Sequence, residues 1–249
     1  MSEINNAKWQ IDSIRLIIFC NKRIEFPKIE LSKEITGQNK VISLNPSLNS
    51  DDKHLENRYV EFVPLNKNSN QQFIFTYIEE KNIFDFKLIF EEDKSVYSFL
   101  EIKNNFEKFY KSLEKTFTYF NNSVIRIGKV IELSFPVENN IQGCQHIKNS
   151  LNFLNHLEGN LDEINLKLNK TYKHKGIEIN RVIKIANGQK IAFDIDSQHP
   201  KADVIKSVLF NIDINTDSSN KNVLNLESFN NSINKALYNI VNNGGIYND

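Results

Sequence analysis

Residues 71–90, QQFIFTYIEEKNIFDFKLIF, carry the pattern that decides the fold. Large apolar residues stand at every second position in each half, from Phe73 to Tyr77 and from Phe84 to Phe90. A period of two places such side chains on one face of a β-strand. The short polar joint EEKN (79–82) fits a hairpin loop. The stretch therefore predicts two antiparallel strands that share one apolar face.

Three further strand patterns surround this hairpin. They are WQIDSIRLIIFC (9–20), YVEFVPL (59–65) and SVYSFLEI (95–102). All are rich in β-branched and aromatic residues, and Asn- and Lys-rich joints separate them, as is typical of strands joined by turns. Residues 9–102 are therefore predicted to form an antiparallel meander.

The period changes after this meander. Apolar residues recur at three- and four-residue spacing from Phe106 to Phe120, which is the stripe of an amphipathic helix. Asn104 with Glu107 three residues later fits the start of a helix, and Asn121 with Asn122 fits its end. The sequence predicts one helix between these signals.

The second part of the chain repeats the order of strands and helices. We predict strands at 123–137, 161–172, 176–186, 189–196 and 203–214, and helices at 141–157 and 225–242. The dipeptide Asn187-Gly188 is the clearest hairpin signal in the chain. It predicts a tight turn between the strands at 176–186 and 189–196.

These elements predict an α+β fold with antiparallel β-meanders and amphipathic helices packed on one face. The order of strands followed by a helix occurs twice, which suggests two similar halves, residues 1–122 and 123–249. One continuous domain is the alternative. No repeat of individual residues supports the duplication.

Composition excludes several classes of protein. The 249 residues contain 31 basic and 31 acidic side chains, so no overall field attracts nucleic acid or an acidic membrane. No signal peptide or membrane span is predicted. Cys20 and Cys144 stand in apolar contexts and are predicted to be reduced core thiols of a cytoplasmic protein; a disulfide would require the fold to bring them together. The sequence motifs of serine hydrolases, P-loop proteins and dinucleotide-binding proteins do not occur, and we expect no cofactor.

One string points to a family. VIRIGKVIELSFPV (124–137) follows a Phe-rich helix pattern and resembles a region of an uncharacterised, sporadically distributed bacterial family of about this length. AFDIDS (192–197) and the helix pattern at 225–242 are similar to the second half of that family, although Glu132 and Leu133 stand where it usually has Asn. The resemblance implies an α+β intracellular protein, often encoded in mobile or defence-associated gene neighbourhoods. It implies no reaction and no active site.

Asp85, Glu101 and Lys103 form the first candidate site. Metal-dependent nucleases place an Asp and then a Glu-x-Lys on neighbouring strands, where the carboxylates hold Mg²⁺ and the Lys activates water. YSFLEIK (97–103) supplies Glu-x-Lys at the end of an apolar run. The plainer interpretation is that Glu and Lys are common in this chain and mark the junction between a strand and a helix. We favour that interpretation and keep a Mg²⁺-dependent nuclease as an alternative.

FDIDSQHP (193–200) is the second candidate. Asp194 and Asp196 project from one face of a predicted strand and His199 follows, a set that suits a hard metal ion or zinc. A solvent-facing edge strand produces the same alternation without binding a metal. We favour the structural interpretation.

The basic segment 167–184 is the third candidate. Its cationic and aromatic side chains suit contacts with phosphates and with a single-stranded base; they are Lys170, Tyr172, Lys173, Lys175, Arg181 and Lys184. Lysines along a sheet edge also prevent edge-to-edge association. A nucleic-acid-binding module is therefore a further alternative.

No complete catalytic set emerges, so we expect a non-catalytic binding or scaffold subunit of an intracellular bacterial protein complex, with anti-phage defence suggested only by the resemblance. The expected partner is a protein, in a homo- or hetero-oligomer, and not a membrane. The 18 Phe residues exceed what most chains carry, and a surplus beyond the core would supply an apolar interface.

Overall fold

The structure is a computed structural model and describes residues 8–24, 42–44, 58–64, 71–78, 81–90, 95–120, 122–151, 154, 158–194 and 201–243. The strands among them are β1 (Gln10–Cys20), β2 (Ile42–Leu44), β3 (Arg58–Pro64), β4 (Gln71–Ile78), β5 (Ile83–Phe90), β6 (Val124–Pro136), β7 (Asn165–His174), β8 (Ile177–Asp194) and β9 (Lys201–Thr216). The α-helices are α1 (Phe99–Leu113), α2 (Asn140–Ser150) and α3 (Leu226–Asn243), and a 3-10 segment, Glu114–Phe120, follows α1.

All the strands belong to one antiparallel sheet in the order β2-β3-β4-β5-β1-β6-β9-β8-β7. The predicted hairpin at 71–90 is confirmed, with Ile78 opposite Ile83. On one side of the sheet centre β5 returns to pair with β1, and on the other side β9 returns to pair with β6. Because β1 and β6 pair with each other, hydrogen bonding continues across the predicted boundary at residue 122. The division into two similar halves stays a prediction.

The helices pack on one face of the sheet, as predicted. Ile14, Leu16 and Ile18 of β1 point to this helix-covered face and are fully buried. Phe120 of the 3-10 segment packs against Phe84 there, with ring centroids 4.8 Å apart. Residues of the opposite parity form the open face, over which no described helix lies. The α+β class is therefore confirmed, and most of the aromatic surplus belongs to the core between sheet and helices.

The start of α1 differs from the prediction. Tyr97 forms an isolated bridge with Trp9, and the helix begins at Phe99, so the predicted strand over 95–102 is wrong.

A capping box starts the helix. The Ser98 side chain accepts a hydrogen bond from the Glu101 N–H, and the Glu101 carboxylate accepts one from the Ser98 N–H. This capping box satisfies backbone groups that a helix start leaves unpaired. Asn104, predicted as the cap, lies inside the helix.

The turn predicted at Asn187-Gly188 is also wrong. Both residues lie within the continuous strand β8, and the turn that precedes β8 is instead at Lys175-Gly176, where both residues have positive φ. The Asn187 side chain has a tertiary role: its Nδ2 donates to the Asn140 carbonyl and its Oδ1 accepts from the Ile164 N–H. These bonds join β8 to the start of α2 and to the segment that leads into β7.

The other C-terminal elements follow the prediction with shifted ends. The helix expected at 141–157 ends at Ser150, and the strand expected at 161–172 is Asn165–His174. The strand expected at 203–214 is Lys201–Thr216, and the helix expected at 225–242 is Leu226–Asn243. Strand β2 was not predicted.

The two cysteines are buried and free, as predicted for core thiols. Burial raises the pKa of the Cys20 thiol to about 11. Of the described helices, none is both long enough and apolar enough to cross a membrane.

A lysine amine is buried between the sheet and α3. Lys129 of β6 is fully buried, and its Nζ donates to Oδ1 of Asn230 and of Asn234 at 2.5 Å each. The same nitrogen lies 3.8 Å from the centre of the Tyr110 ring, whose face attracts cations. Burial lowers the pKa of Lys129 well below its ordinary value. Lys129 therefore fastens α3 to the sheet through polar contacts within the core.

Trp9 joins three elements at one end of the same layer. Its indole is fully buried, and its ring centroid lies 4.8 Å from that of His146 on α2 and 5.3 Å from that of Phe210 on β9. His146 in turn stacks on Phe135 of β6, with centroids 3.9 Å apart. Burial lowers the pKa of His146 to about 4, which favours the neutral imidazole in this stack.

Candidate protein interface

The three residues of the nuclease hypothesis are not brought together. Asp85 lies on the open face, where its carboxylate accepts two hydrogen bonds from the Arg15 guanidinium, at 2.7 and 2.5 Å. Glu101 caps α1 on the opposite side of the sheet. Lys103 points along α1 to Glu107, at 3.8 Å. A sheet thus separates the two carboxylates that would share a Mg²⁺ ion, and each has a structural role.

Neighbouring charges on the open face also pair with one another. Glu132 accepts a hydrogen bond from Ser13 at 2.5 Å and lies 3.5 Å from Lys87. The paired charges Arg15 and Asp85 lie on the adjacent strands β1 and β5. This alternation of acids and bases gives the open face internally matched charges.

The candidate metal residues remain incompletely placed. Asp194 is the last residue of β8, opposite Lys201 of β9. Asp196 and His199 lie outside the described residues. The metal hypothesis therefore stays a prediction.

The basic segment is divided between the two faces of the β7–β8 hairpin. Arg181 is buried on the helix-covered face, and Tyr172 on the same face donates to the Ser232 carbonyl at 3.5 Å. Lys170 is directly opposite Arg181 in the register and shares that face.

The other lysines of this segment lie elsewhere on the hairpin. The exposed Lys173 and Lys184 lie on the open face, and Lys173 is opposite Glu178. Lys175 occupies the turn. The six residues do not form one cationic patch, and a nucleic-acid contact stays a prediction.

Strands β8 and β9 extend beyond the rest of the sheet. Toward this end of the sheet, the pairing of β7 with β8 stops at Asn165, opposite Ala186. The pairing of β6 with β9 stops at Pro136, opposite Ser207. Past these points β8 and β9 continue to pair with each other as far as Asp194 and Lys201. We call residues 189–194 and 201–206 the hairpin arm.

The hairpin arm exposes large apolar side chains. Ile191 is 58% exposed and Val204 is 60% exposed, and the two residues are directly opposite each other. Ile205, on the other surface of the arm, is 37% exposed. Two strands alone have no interior in which to bury such residues. Ile191 and Val204 thus form an exposed apolar pair on paired strands that no described helix covers.

The base of the arm is tied to the centre of the sheet. The Lys190 ammonium pairs with the Asp12 carboxylate of β1, and the Ser134 hydroxyl donates to the same carboxylate at 2.8 Å. The Val137 N–H donates to the Lys206 carbonyl at 2.9 Å. Because these contacts already order the base of the arm, binding of a partner there would cost less conformational entropy.

Gly188 and Gly143 show how the sequence builds this base. A Cβ at Gly188 would lie 2.7 Å from a Leu209 methyl, and a Cβ at Gly143 would lie 2.3 Å from the Asn187 amide nitrogen. Gly143 therefore makes room for the Asn187 side chain where β8 passes beneath α2, and Gly188 makes room for Leu209 on the opposite face of the sheet. Because the dipeptide Asn187-Gly188 predicts a turn, the sequence did not reveal this role or the length of the arm.

A groove of about 500 Å³ is a second candidate site. It lies between the 3-10 segment and the start of α3 and is lined by acidic, amide and apolar residues, among them Glu114, Phe117, Glu227 and Asn230. Asn230 already accepts a hydrogen bond from Lys129. The groove presents no group that would select a particular ligand, so the hairpin arm is the stronger candidate.

Comparisons of this chain with protein-family models, with curated proteins and with solved structures found no match.

Proposed function

We propose that this chain is a non-catalytic binding or scaffold subunit of a protein complex and that the hairpin arm is its contact surface. The observation that carries the proposal is the projecting pair of strands with Ile191 and Val204 exposed opposite each other. Apolar residues surrounded by charged ones are typical of an interface core with a polar rim. The arm has both, because Lys190 and Lys206 flank these two residues along the strands.

The other exposed apolar residues are not grouped in the way that those of the hairpin arm are. Val96, Leu100, Ile141 and Val223 are scattered over loops and helix starts. Single exposed apolar residues are normal on protein surfaces. Only the arm, among the described residues, exposes such residues on paired strands that lack a covering layer.

Polar substitution of the arm is expected to release the chain from its complex. In an extract of the host, wild-type chain should elute from a sizing column well above its own 29.0 kDa, and the double variant Ile191→Ser/Val204→Ser should elute near 29.0 kDa. Removal of apolar contacts at the centre of an interface weakens binding strongly, whereas changes at exposed residues cost the fold little.

Val223→Ser is the matched control, because Val223 is exposed to a similar degree but lies in the loop before α3. It should elute with the wild type. Elution of the wild type at 29.0 kDa in the extract, or an equal effect of the control substitution, would contradict the proposed function.

A further inference from the structure

The outer edge of β8 in the hairpin arm offers backbone groups for pairing. The Asn187 N–H donates to the Ile164 carbonyl, on the β7 side, so the backbone groups of Asn187 point away from β9. Backbone direction repeats every second residue in an antiparallel strand. Gln189, Ile191 and Phe193 therefore direct their N–H and C=O groups to the same outer edge. Past Asn187, no described strand pairs with this edge.

The residues along this edge are complementary to themselves. Lys190-Ile191-Ala192-Phe193-Asp194 has a basic residue at one end, an acidic residue at the other and a small residue in the middle. When two copies run antiparallel with Ala192 opposite Ala192, each Lys190 is opposite the Asp194 position of the other copy. Each Ile191 is then opposite Phe193. Opposite charges and apolar pairs at facing positions stabilise paired strands.

The geometry of the edge suits the same register. Ile191 and Phe193, whose backbone groups point to the outer edge, would form the hydrogen-bonded pairs. The two copies of Ala192 would face each other in the central pair, which has no hydrogen bonds between its backbones. Cα atoms approach most closely in such a pair, at about 4.5 Å. Alanine at this position brings no bulk to the closest contact.

We propose that the partner of the hairpin arm is a second copy of this chain, joined through antiparallel pairing of the two β8 edges about Ala192. This inference rests on the proposed function, since it names the partner of the same surface. The pairing is two-fold symmetric and closes after two chains, because the same edge serves both copies. It joins the two sheets into one and covers Ile191. Lys190 keeps donors for Asp12 while facing Asp194 of the other copy.

The outer edge of β9 is less suited to this role. Val137 already donates to Lys206 on that edge. Antiparallel self-pairing about Val204 would place Asp203 opposite Ile205, an acid against an apolar residue. Complementarity therefore selects β8.

A cysteine at the symmetry axis tests the pairing directly. In the variant Ala192→Cys, the two introduced thiols would face each other at a Cα separation of about 4.5 Å, which is within the range of a disulfide. Mild oxidation of the purified chain should give a covalent dimer at twice 29.0 kDa on a non-reducing gel. Cys20 and Cys144 are buried and should not contribute.

Ile191→Cys is the matched control on the neighbouring exposed residue. In the proposed register its two copies are offset by two positions, with Cα atoms roughly 8–9 Å apart, too far for a disulfide. Covalent dimer from Ala192→Cys but not from Ile191→Cys, with wild-type chain sedimenting as a dimer, is the expected result. Equal cross-linking of both variants, or cross-linking of neither, would overturn the self-pairing.

Failure of the self-pairing can be told apart from failure of the proposed function. A purified chain that sediments at 29.0 kDa, together with a larger form in host extract that depends on Ile191 and Val204, would overturn the second copy as partner and leave the proposed function standing. A monomer under both conditions would overturn both.

Discussion

Trp9→Ala is expected to lower the free energy of unfolding by roughly 3–5 kcal/mol, the usual loss when a large buried aromatic is truncated. Trp9 is fully buried and contacts rings of α2, β6 and β9, so its removal leaves a cavity where three elements meet. Urea unfolding followed by far-ultraviolet circular dichroism measures the loss. Fluorescence is unsuitable, because Trp9 is the only tryptophan.

Trp9→Phe separates ring packing from the indole N–H. The indole Nε1 is buried and has no hydrogen-bond partner among the described residues, so its loss removes an unsatisfied donor. Trp9→Phe should therefore cost clearly less than Trp9→Ala. Equal losses for the two variants would show that the ring contacts do not hold these elements together.

Lys129→Ala is expected to lower the free energy of unfolding by roughly 2–4 kcal/mol. Truncation creates a cavity beneath α3 and leaves the Oδ1 atoms of Asn230 and Asn234 without the donor they now share. The truncation also removes a polar group that is costly to bury, which offsets part of this loss. Chemical denaturation at neutral pH provides the measurement.

The triple variant Lys129→Met/Asn230→Leu/Asn234→Leu tests whether the polar network is needed. It replaces all three partners by apolar side chains of similar volume and leaves no amide oxygen unsatisfied. Such replacements are often neutral or stabilising, so stability should return to within about 1 kcal/mol of wild type. A triple variant less stable than Lys129→Ala would contradict this account of Lys129.

Much of the fold was predictable because many elements carry their own periodic signal. The hairpin at 71–90 alternates over each strand, and α3 repeats its apolar residues at helical spacing. The start of α1 was mispredicted because Tyr97 and Phe99 continue a strand-like aromatic run. The capping pair of Ser98 and Glu101 is itself a local signal and could have been recognised.

The candidate interface was not predictable, because it depends on contacts distant in sequence. Asn187-Gly188 forms a turn in many proteins, but here the Asn187 side chain bonds to α2 and to Ile164 while the backbone stays extended. The predicted turn cut β8 in two and concealed the arm. The structure does not bring Asp85 and Glu101 together, because Glu101 caps the start of α1 and does not lie on the expected strand.

Site-specific photo-crosslinking at Val204 tests the central claim, that the hairpin arm contacts another protein chain, most directly. A photoreactive amino acid replaces Val204 in the arm or, as a control, the exposed Ser218 in the turn after β9, and living host cells are irradiated. We predict a protein adduct of defined mass from position 204 and none from position 218. No adduct from position 204, or the same adducts from both positions, would contradict the account.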